Sequence, residues 1–397
     1  MSLNETVSAE RVHIGFFGMR NAGKSSVVNA VTGQDLAVVS DVKGTTTDPV
    51  KKAMELLPLG PVVIIDTPGL DDEGELGALR VQKARRILAQ TDIAVLVVDA
   101  TAGLSEADES LLNELKSRDL PHILVYNKAD LLPEIPAEGL YVSAKTGKNI
   151  DKIKELLVKF EKKTKKTQKL VSDLVSPGDV VVLVVPIDSA APKGRLILPQ
   201  QQTIRDLLDA GCTVVTCRDA ELPQTLACLK DPPRLVITDS QVFGKVVKML
   251  PEDQLLTSFS ILFARYKGEL DTLVEGASKL CKLSSNDRVL ISEGCTHHRQ
   301  CGDIGTVKLP NWIRQFSGAE PEFEFSSGGT FPEDLSRYAL IVHCGGCMLN
   351  DAEMQHRIRM AKEAGVPMVN YGVAIAAIHG ILNRSLEVFP EILDQLK

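Results

Sequence analysis

The sequence predicts an α/β protein made of three domains, each built on a parallel sheet. Three observations carry that expectation. Apolar runs of strand length, such as Ile93–Val98 and Val180–Val185, are continuous rather than alternating, as strands covered on both faces should be. These runs alternate with segments of helical pattern, which calls for parallel strands joined by right-handed crossovers. A chain of 397 residues is also too long for one ordinary core.

The elements follow in order. His13–Gly18 reads as a strand entering a glycine-rich turn, and Ser25–Val31 as the helix after it. Val62–Asp66, Ile93–Asp99, His122–Asn127 and Leu140–Ser143 read as further strands, with helices over Glu106–Lys116 and Ile150–Lys162. The basic run Lys159–Lys169 reads as a solvated helix end and linker. Beyond it, Asp179–Pro186, Cys212–Cys217 and Leu235–Thr238 read as strands, and Thr203–Ala210 and Gln241–Lys248 as helices. A second boundary is expected near Thr257–Lys267. Arg288–Ser292, Leu340–Cys344 and Pro367–Asn370 read as strands of the last domain, with helices over Ala352–Ala364 and Val373–Ile381. The expected domains are residues 1–167, 168–262 and 263–397.

Composition excludes several classes. Hydrophobic residues make up 44% and charged residues 24%, the mix of a soluble globular protein. The segment Met1–Glu10 is polar and no apolar run reaches membrane-spanning length, so neither a leader nor a membrane anchor is expected, and the cytoplasm is the expected location. A net charge of −7 and only 4% aromatic residues argue against a nucleic-acid partner.

Gly18-Met19-Arg20-Asn21-Ala22-Gly23-Lys24-Ser25 fits a phosphate-binding loop placed between a strand and a helix. Backbone amides of the loop, with Ser26 at the helix start, would cradle phosphates, Lys24 would reach the β- and γ-phosphates, and the Ser25 hydroxyl would ligate Mg²⁺. Asp66-Thr67-Pro68-Gly69 ends a buried strand. Asp66 is placed to hold the Mg²⁺ through water, and the Gly69 amide to meet the γ-phosphate. Asn127-Lys128-Ala129-Asp130 decides the base: an ionised Asp130 can accept from guanine N1–H and the 2-amino group, a donor pair that adenine lacks. Asn127 can tie neighbouring loops together, and the Lys128 stem can cover the base. Ser143-Ala144-Lys145 adds a backbone amide for guanine O6. The substrate is therefore expected to be GTP.

Between these motifs lies Gly44-Thr45-Thr46-Thr47-Asp48, where a threonine can close on Mg²⁺ as a switch. These five elements resemble the Ras-like P-loop GTPases of the Era and TrmE kind. That resemblance assigns the switch role to Thr46, although Thr47 stands where the group carries arginine. It also implies a potassium ion at Asn21, standing in for an arginine finger. Leu70 follows the DTPG glycine, where Ras-type enzymes carry a water-orienting glutamine, so slow intrinsic hydrolysis is expected.

All eight cysteines fall at or after Cys212. Cys295-Thr296-His297-His298-Arg299-Gln300-Cys301 and His343-Cys344-Gly345-Gly346-Cys347 each follow an apolar strand-like run. Both segments could therefore sit at carboxyl ends of parallel strands, where open sheets place ligands. The spacing alone supports zinc and an iron–sulfur cluster equally, with inert buried thiols as the plain alternative. Cys212, Cys217, Cys228 and Cys281 have apolar neighbours and read as core residues.

A GTPase domain, a middle α/β domain and a terminal CxH…HCxxC together resemble the FeFe-hydrogenase maturation GTPases of the HydF family over essentially the whole chain. The resemblance implies a 4Fe-4S cluster on Cys295, Cys344 and Cys347, with His297 and His343 as ligands or as partners that orient the cluster. It implies a dimerising middle domain and a carrier function: a two-iron precursor is received from two radical S-adenosylmethionine maturases and delivered to apo-hydrogenase. Asp188 is a remote candidate for the open coordination position, and Cys301 lies outside the motif. The competing expectation is an RNA- or ribosome-associated GTPase with a structural zinc module.

Overall fold

The computed structural model describes residues 8–34, 50–67, 84–164, 169–187, 196–294 and 303–394. Contacts divide the chain into two compact units, Met1–Thr167 and Gln168–Lys397. Among the described residues no helix is long and apolar enough to cross a membrane.

Among the described residues the first unit holds one six-stranded sheet. Its strands are β1 (Val12–Phe17), β2 (Val50–Leu56), β3 (Gly60–Asp66), β4 (Ile93–Asp99), β5 (His122–Asn127) and β6 (Leu140–Tyr141), in the order β2-β3-β1-β4-β5-β6. Only the β2–β3 pair is antiparallel. Successive residues bury on opposite faces. Ile14, Val62, Ile64, Val95 and Val97 join one apolar cluster, while Val63, Ile65, Ala94, Leu96 and Val98 join another. That two-sided burial is why these strands read as continuous apolar runs. Helices Lys24–Thr32, Glu106–Ser117 and Ile150–Thr164 lie where the pattern predicts them, each within one or two residues. The last strand stops at Tyr141, two residues short of the expected end.

Among the described residues the second unit carries two four-stranded sheets, each parallel throughout. β7 (Val180–Val184), β8 (Thr213–Cys217), β9 (Leu235–Thr238) and β10 (Leu256–Ser258) lie in the order β10-β9-β7-β8. β11 (Arg288–Glu293), β12 (Glu322–Ser327), β13 (Leu340–His343) and β14 (Met368–Asn370) lie in the order β12-β11-β13-β14. The boundary expected between residues 262 and 263 falls inside helix Phe259–Lys267. One apolar core runs through both sheets, from Leu183 and Phe259 to Leu290, Val342 and Phe389. Thr257 Oγ1 donates to the Ser385 carbonyl at 2.9 Å across that junction. Helix Leu198–Asp209 starts five residues before the expected Thr203, and the helix expected over Gln241–Lys248 shortens to Phe243–Val246 plus a 3₁₀ turn.

The cysteine expectations divide. Cys212 is buried and Cys217 half-buried, but Cys228 and Cys281 are exposed. Around Cys281, Leu280 and Leu283 turn into the core, which leaves the thiol on the outer side of a tight turn. Cys228 ends the short helix Leu222–Cys228, whose Leu222 faces inward.

Candidate functional site

The phosphate loop links β1 to helix Lys24–Thr32. Gly23 sits at φ +86°, where L side chains are disfavoured, and a Cβ there would lie 2.3 Å from Asn127 Nδ2. Asn127 uses that space. Its Nδ2 donates to the Ala22 carbonyl at 3.0 Å and its Oδ1 accepts from the Ala144 amide at 3.1 Å. One buried side chain thus joins the phosphate loop, the end of β5 and the Ser143–Lys145 loop, the tie expected of it. Lys24 is buried, and its ammonium donates to the Gly18 and Met19 carbonyls at 3.0 and 2.8 Å.

Ser25 Oγ donates to Asp66 Oδ2 at 2.7 Å, although 41 residues separate them in sequence. Asp66 Oδ1 is buried and has no hydrogen-bond partner among the described residues. Burial pushes the Asp66 carboxyl up, while the Ser25 hydrogen bond and the Lys24 charge pull it down. A hydroxyl beside a carboxylate with one unmet buried oxygen fits a hard divalent cation such as Mg²⁺. Thr67 locks the strand end by donating from Oγ1 to the Phe16 carbonyl at 2.7 Å. Thr46, Gly69 and Leu70 lie outside the described residues.

The loop expected to read the base follows β5. Asp130 is exposed and its Oδ1 accepts from Ser143 Oγ at 2.6 Å. That hydrogen bond, opposed by some desolvation, holds its carboxyl below the usual range. Lys128 takes φ +65°, uncommon for a non-glycine residue, and donates from Nζ to Asp99 Oδ2 at 2.5 Å. A cavity of about 650 Å³ is lined by Gly23, Ser26, Asn127, Lys128, Asp130, Ala144 and Lys145, among others. It falls within the range of small-ligand sites. Asn21 is exposed at φ +59° on the same loop. Of the described residues expected at the nucleotide site, seven line this cavity, while Gly18, Asn21, Ala22, Lys24, Ser25, Asp66 and Ser143 are not among its lining.

The second constellation lies in the other unit, at the carboxyl ends of β11 and β13. These strands pair in parallel with Ser292 opposite His343. The Cys344 amide donates to the Ser292 carbonyl at 2.8 Å. Cys344 Sγ accepts from the Gly294 amide at 3.0 Å and from the Gly346 amide at 3.4 Å. Gly294, the last described residue before Cys295, therefore lies against the Cys344 turn. Gly346 takes φ +63° and lets the Cys344–Cys347 turn close. Burial pushes the Cys347 thiol up, Cys344 adds to the effect, and the Lys267 ammonium opposes it. Cys295, His297 and Cys301 lie outside the described residues, as does Asp188. Among the described residues no group of three Cys, His, Asp or Glu side chains converges. Two neighbouring thiols with amide donors on one sulfur fit a soft thiolate-bound centre.

His343 is fully buried and both its ring nitrogens are engaged. Arg357 lies 3.0 Å from Nε2, and Nδ1 lies 2.7 Å from the Cys344 carbonyl. A guanidinium only donates and a carbonyl only accepts, so the ring is the neutral tautomer protonated at Nδ1. In this arrangement no lone pair of His343 is left for a metal. Arg357 itself is 2% exposed, pairs with Glu353 at 2.5 Å, and stacks over Phe331. Neither Arg357 nor Glu353 has any motif in sequence.

Residues 170–268 match the family described as the hydrogen maturase F dimerization domain, and residues 271–388 its tetramerization domain. Residues 13–128 match the family described as a 50S ribosome-binding GTPase. Among curated proteins, the tRNA modification GTPase MnmE of Synechococcus sp. (strain JA-3-3Ab) is 38% identical over 156 residues, which is 37% of this chain and 33% of that protein. GTPase Der of Kosmotoga olearia is 34% identical over 139 residues, 34% of this chain and 31% of that protein. The chain spans about a third of the length of these relatives. Among solved structures, Aquifex aeolicus Era bound to GDP.AlF4- is 19% identical with a TM-score of 0.34, covering 60% of this chain and 97% of that one. A tetramerization segment has no counterpart in what the sequence predicts. The two maturase matches take up more than half of the residues and follow a GTPase domain, so the chain belongs to the hydrogen maturase F family.

Proposed function

We propose that this protein is a GTP-hydrolysing scaffold of FeFe-hydrogenase maturation, which holds a 4Fe-4S cluster and carries a two-iron precursor to the apo-hydrogenase. The observation that supports the scaffold reading is the 3.0 Å contact from the Gly294 amide to Cys344 Sγ, because Gly294 is the residue before Cys295 in the chain.

At the nucleotide site, Asp130 pairs with the guanine edge and Ser143 fixes its carboxylate. The hydrogen bonds that Lys24 gives to loop carbonyls can pass to β- and γ-phosphate oxygens. Ser25 and Thr46 would ligate a Mg²⁺ that Asp66 would hold through water, and that ion, when bound, would screen charge on the phosphates. Catalysis there is positioning and charge neutralisation for water attack on the γ-phosphate. With Leu70 unable to orient water, hydrolysis is slow, and a K⁺ ion at Asn21 raises it. Equal rates in K⁺ and Na⁺ would refute that last element.

At the second site, Cys344, Cys347 and Cys295 hold the cluster. Three thiolates leave one iron open, which is what reversible docking of a second metal unit requires. His343, tied at both nitrogens, orients the CxxC turn instead of ligating. The partners are a second copy of this chain, the two radical S-adenosylmethionine maturases and the hydrogenase. Dimers and tetramers form through residues 170–268 and 271–388.

Anaerobic reconstitution tests the reading. A brown protein with about four irons per chain and a 4Fe-4S paramagnetic signal on reduction is expected. A colourless protein with one zinc per chain would instead support an RNA-associated GTPase with a structural metal.

A further inference from the structure

Lys267 is the last residue of helix Phe259–Lys267 and is only 3% exposed. A lysine so deeply buried is rare, because desolvation penalises its charge. Its Nζ donates to the Leu349 carbonyl at 2.8 Å. The Leu349 amide in turn donates to the Gly346 carbonyl at 2.9 Å, so this carbonyl belongs to the turn that displays Cys347. The Lys267 carbonyl accepts from Gln355 Nε2 at 3.5 Å, on the helix that leaves the same turn. The helix bearing Lys267 closes the dimerization segment, whereas the cysteines lie in the segment after it. The two share one core.

We propose that Lys267 is a positioning and charge-balancing residue of the thiolate centre at Cys344 and Cys347, contributed by the neighbouring segment. The inference rests on the cluster reading above. Thiolates bring net negative charge to a partly dry turn, and an ammonium fixed on the Leu349 carbonyl of that turn offsets it. The offset is worth more as the centre gains an electron, so Lys267 favours the reduced state. The ammonium also pins the Leu349 carbonyl, which holds the CxxC turn against the end of the helix.

Three substitutions separate charge from scaffolding. Lys267→Gln keeps a donor for Leu349 and removes the charge. Lys267→Arg keeps the charge. Lys267→Met removes both while filling the channel left by the stem. The full chain is reconstituted with iron and sulfide, and three quantities are read: iron retained against a chelator, the midpoint potential from a paramagnetic titration, and the melting temperature of the metal-free protein. Lys267→Gln and Lys267→Met are expected to hold iron about 10-fold more weakly, the size typical of lost outer partners, and to shift the midpoint to more negative potential. Lys267→Arg should stay near wild type in potential. A Lys267→Gln protein with wild-type potential and iron retention overturns the inference, even if Lys267→Met fails to fold. A wild-type chain that takes up no iron overturns the cluster reading and this inference together.

Discussion

Arg357 and His343 sit 14 residues apart in sequence, yet a guanidinium nitrogen of the first lies 3.0 Å from Nε2 of the second, inside a core where neither reaches water. The arginine's charge is met by Glu353 one helical turn earlier. Removing one member of such a pair strands the other. Arg357→Met should therefore cost about 3–5 kcal/mol in a denaturant titration of the metal-free protein. The double variant Arg357→Met/Glu353→Leu should recover most of that loss. A single variant as stable as wild type would contradict the burial described for the pair.

The cysteine turn yields a contrast between neighbours. Cys344→Ala should abolish iron uptake and leave GTP turnover intact, since the two sites lie in separate units. His343→Gln, which keeps a donor and an acceptor, should still take up iron, though less securely. Iron analysis beside a phosphate-release assay decides. Wild-type iron in Cys344→Ala, or none in His343→Gln, would reverse the roles given to these residues.

In the phosphate loop, Gly23→Ala asks a side chain to adopt φ +86° and to occupy space held by Asn127 Nδ2. Backbone strain of this kind costs about 1–3 kcal/mol, before the clash is counted. GDP affinity by calorimetry should drop about 10-fold or more by the same reckoning. Unchanged affinity would mean that the loop relaxes without loosening Asn127.

Asp130 gives the pH dependence. Its carboxyl is held below the ordinary value of 3.8, with the Ser143 hydroxyl as the main cause. A depressed carboxylate stays ionised above the unfolded value, and its contribution is lost only as pH falls through the lower folded one. Guanine binding should thus be flat across neutral and mildly acid pH and weaken only below about pH 4. Asp130→Asn should erase most of the preference for guanine over adenine nucleotides across the whole range. A loss of affinity already present near pH 6 would point to another titrating group.

Much of this was legible in the sequence because burial on both faces of a parallel sheet leaves a continuous apolar imprint. β4, β5 and β9 were expected at the residues where they occur. β2 was missed because its residues are mostly exposed, alternate in no clear way and pair antiparallel at the sheet edge. The nucleotide loops were legible since phosphate and guanine demand fixed residue types at fixed spacing. Lys267, Glu353 and Arg357 were not. A charged residue on a helix reads as solvated unless the fold is known, and only tertiary packing turns these three inward. The two exposed cysteines failed for the mirror reason: apolar neighbours in sequence say nothing about which side of a turn a thiol faces.

The continuous interior behind β7 to β14 has a mechanical consequence. Two stretches that the family names as separate assembly surfaces are cast in one piece, locked at Thr257 and Ser385. They should melt in a single step. A push delivered to either one would tilt the whole casting, so the two stretches would respond to it together.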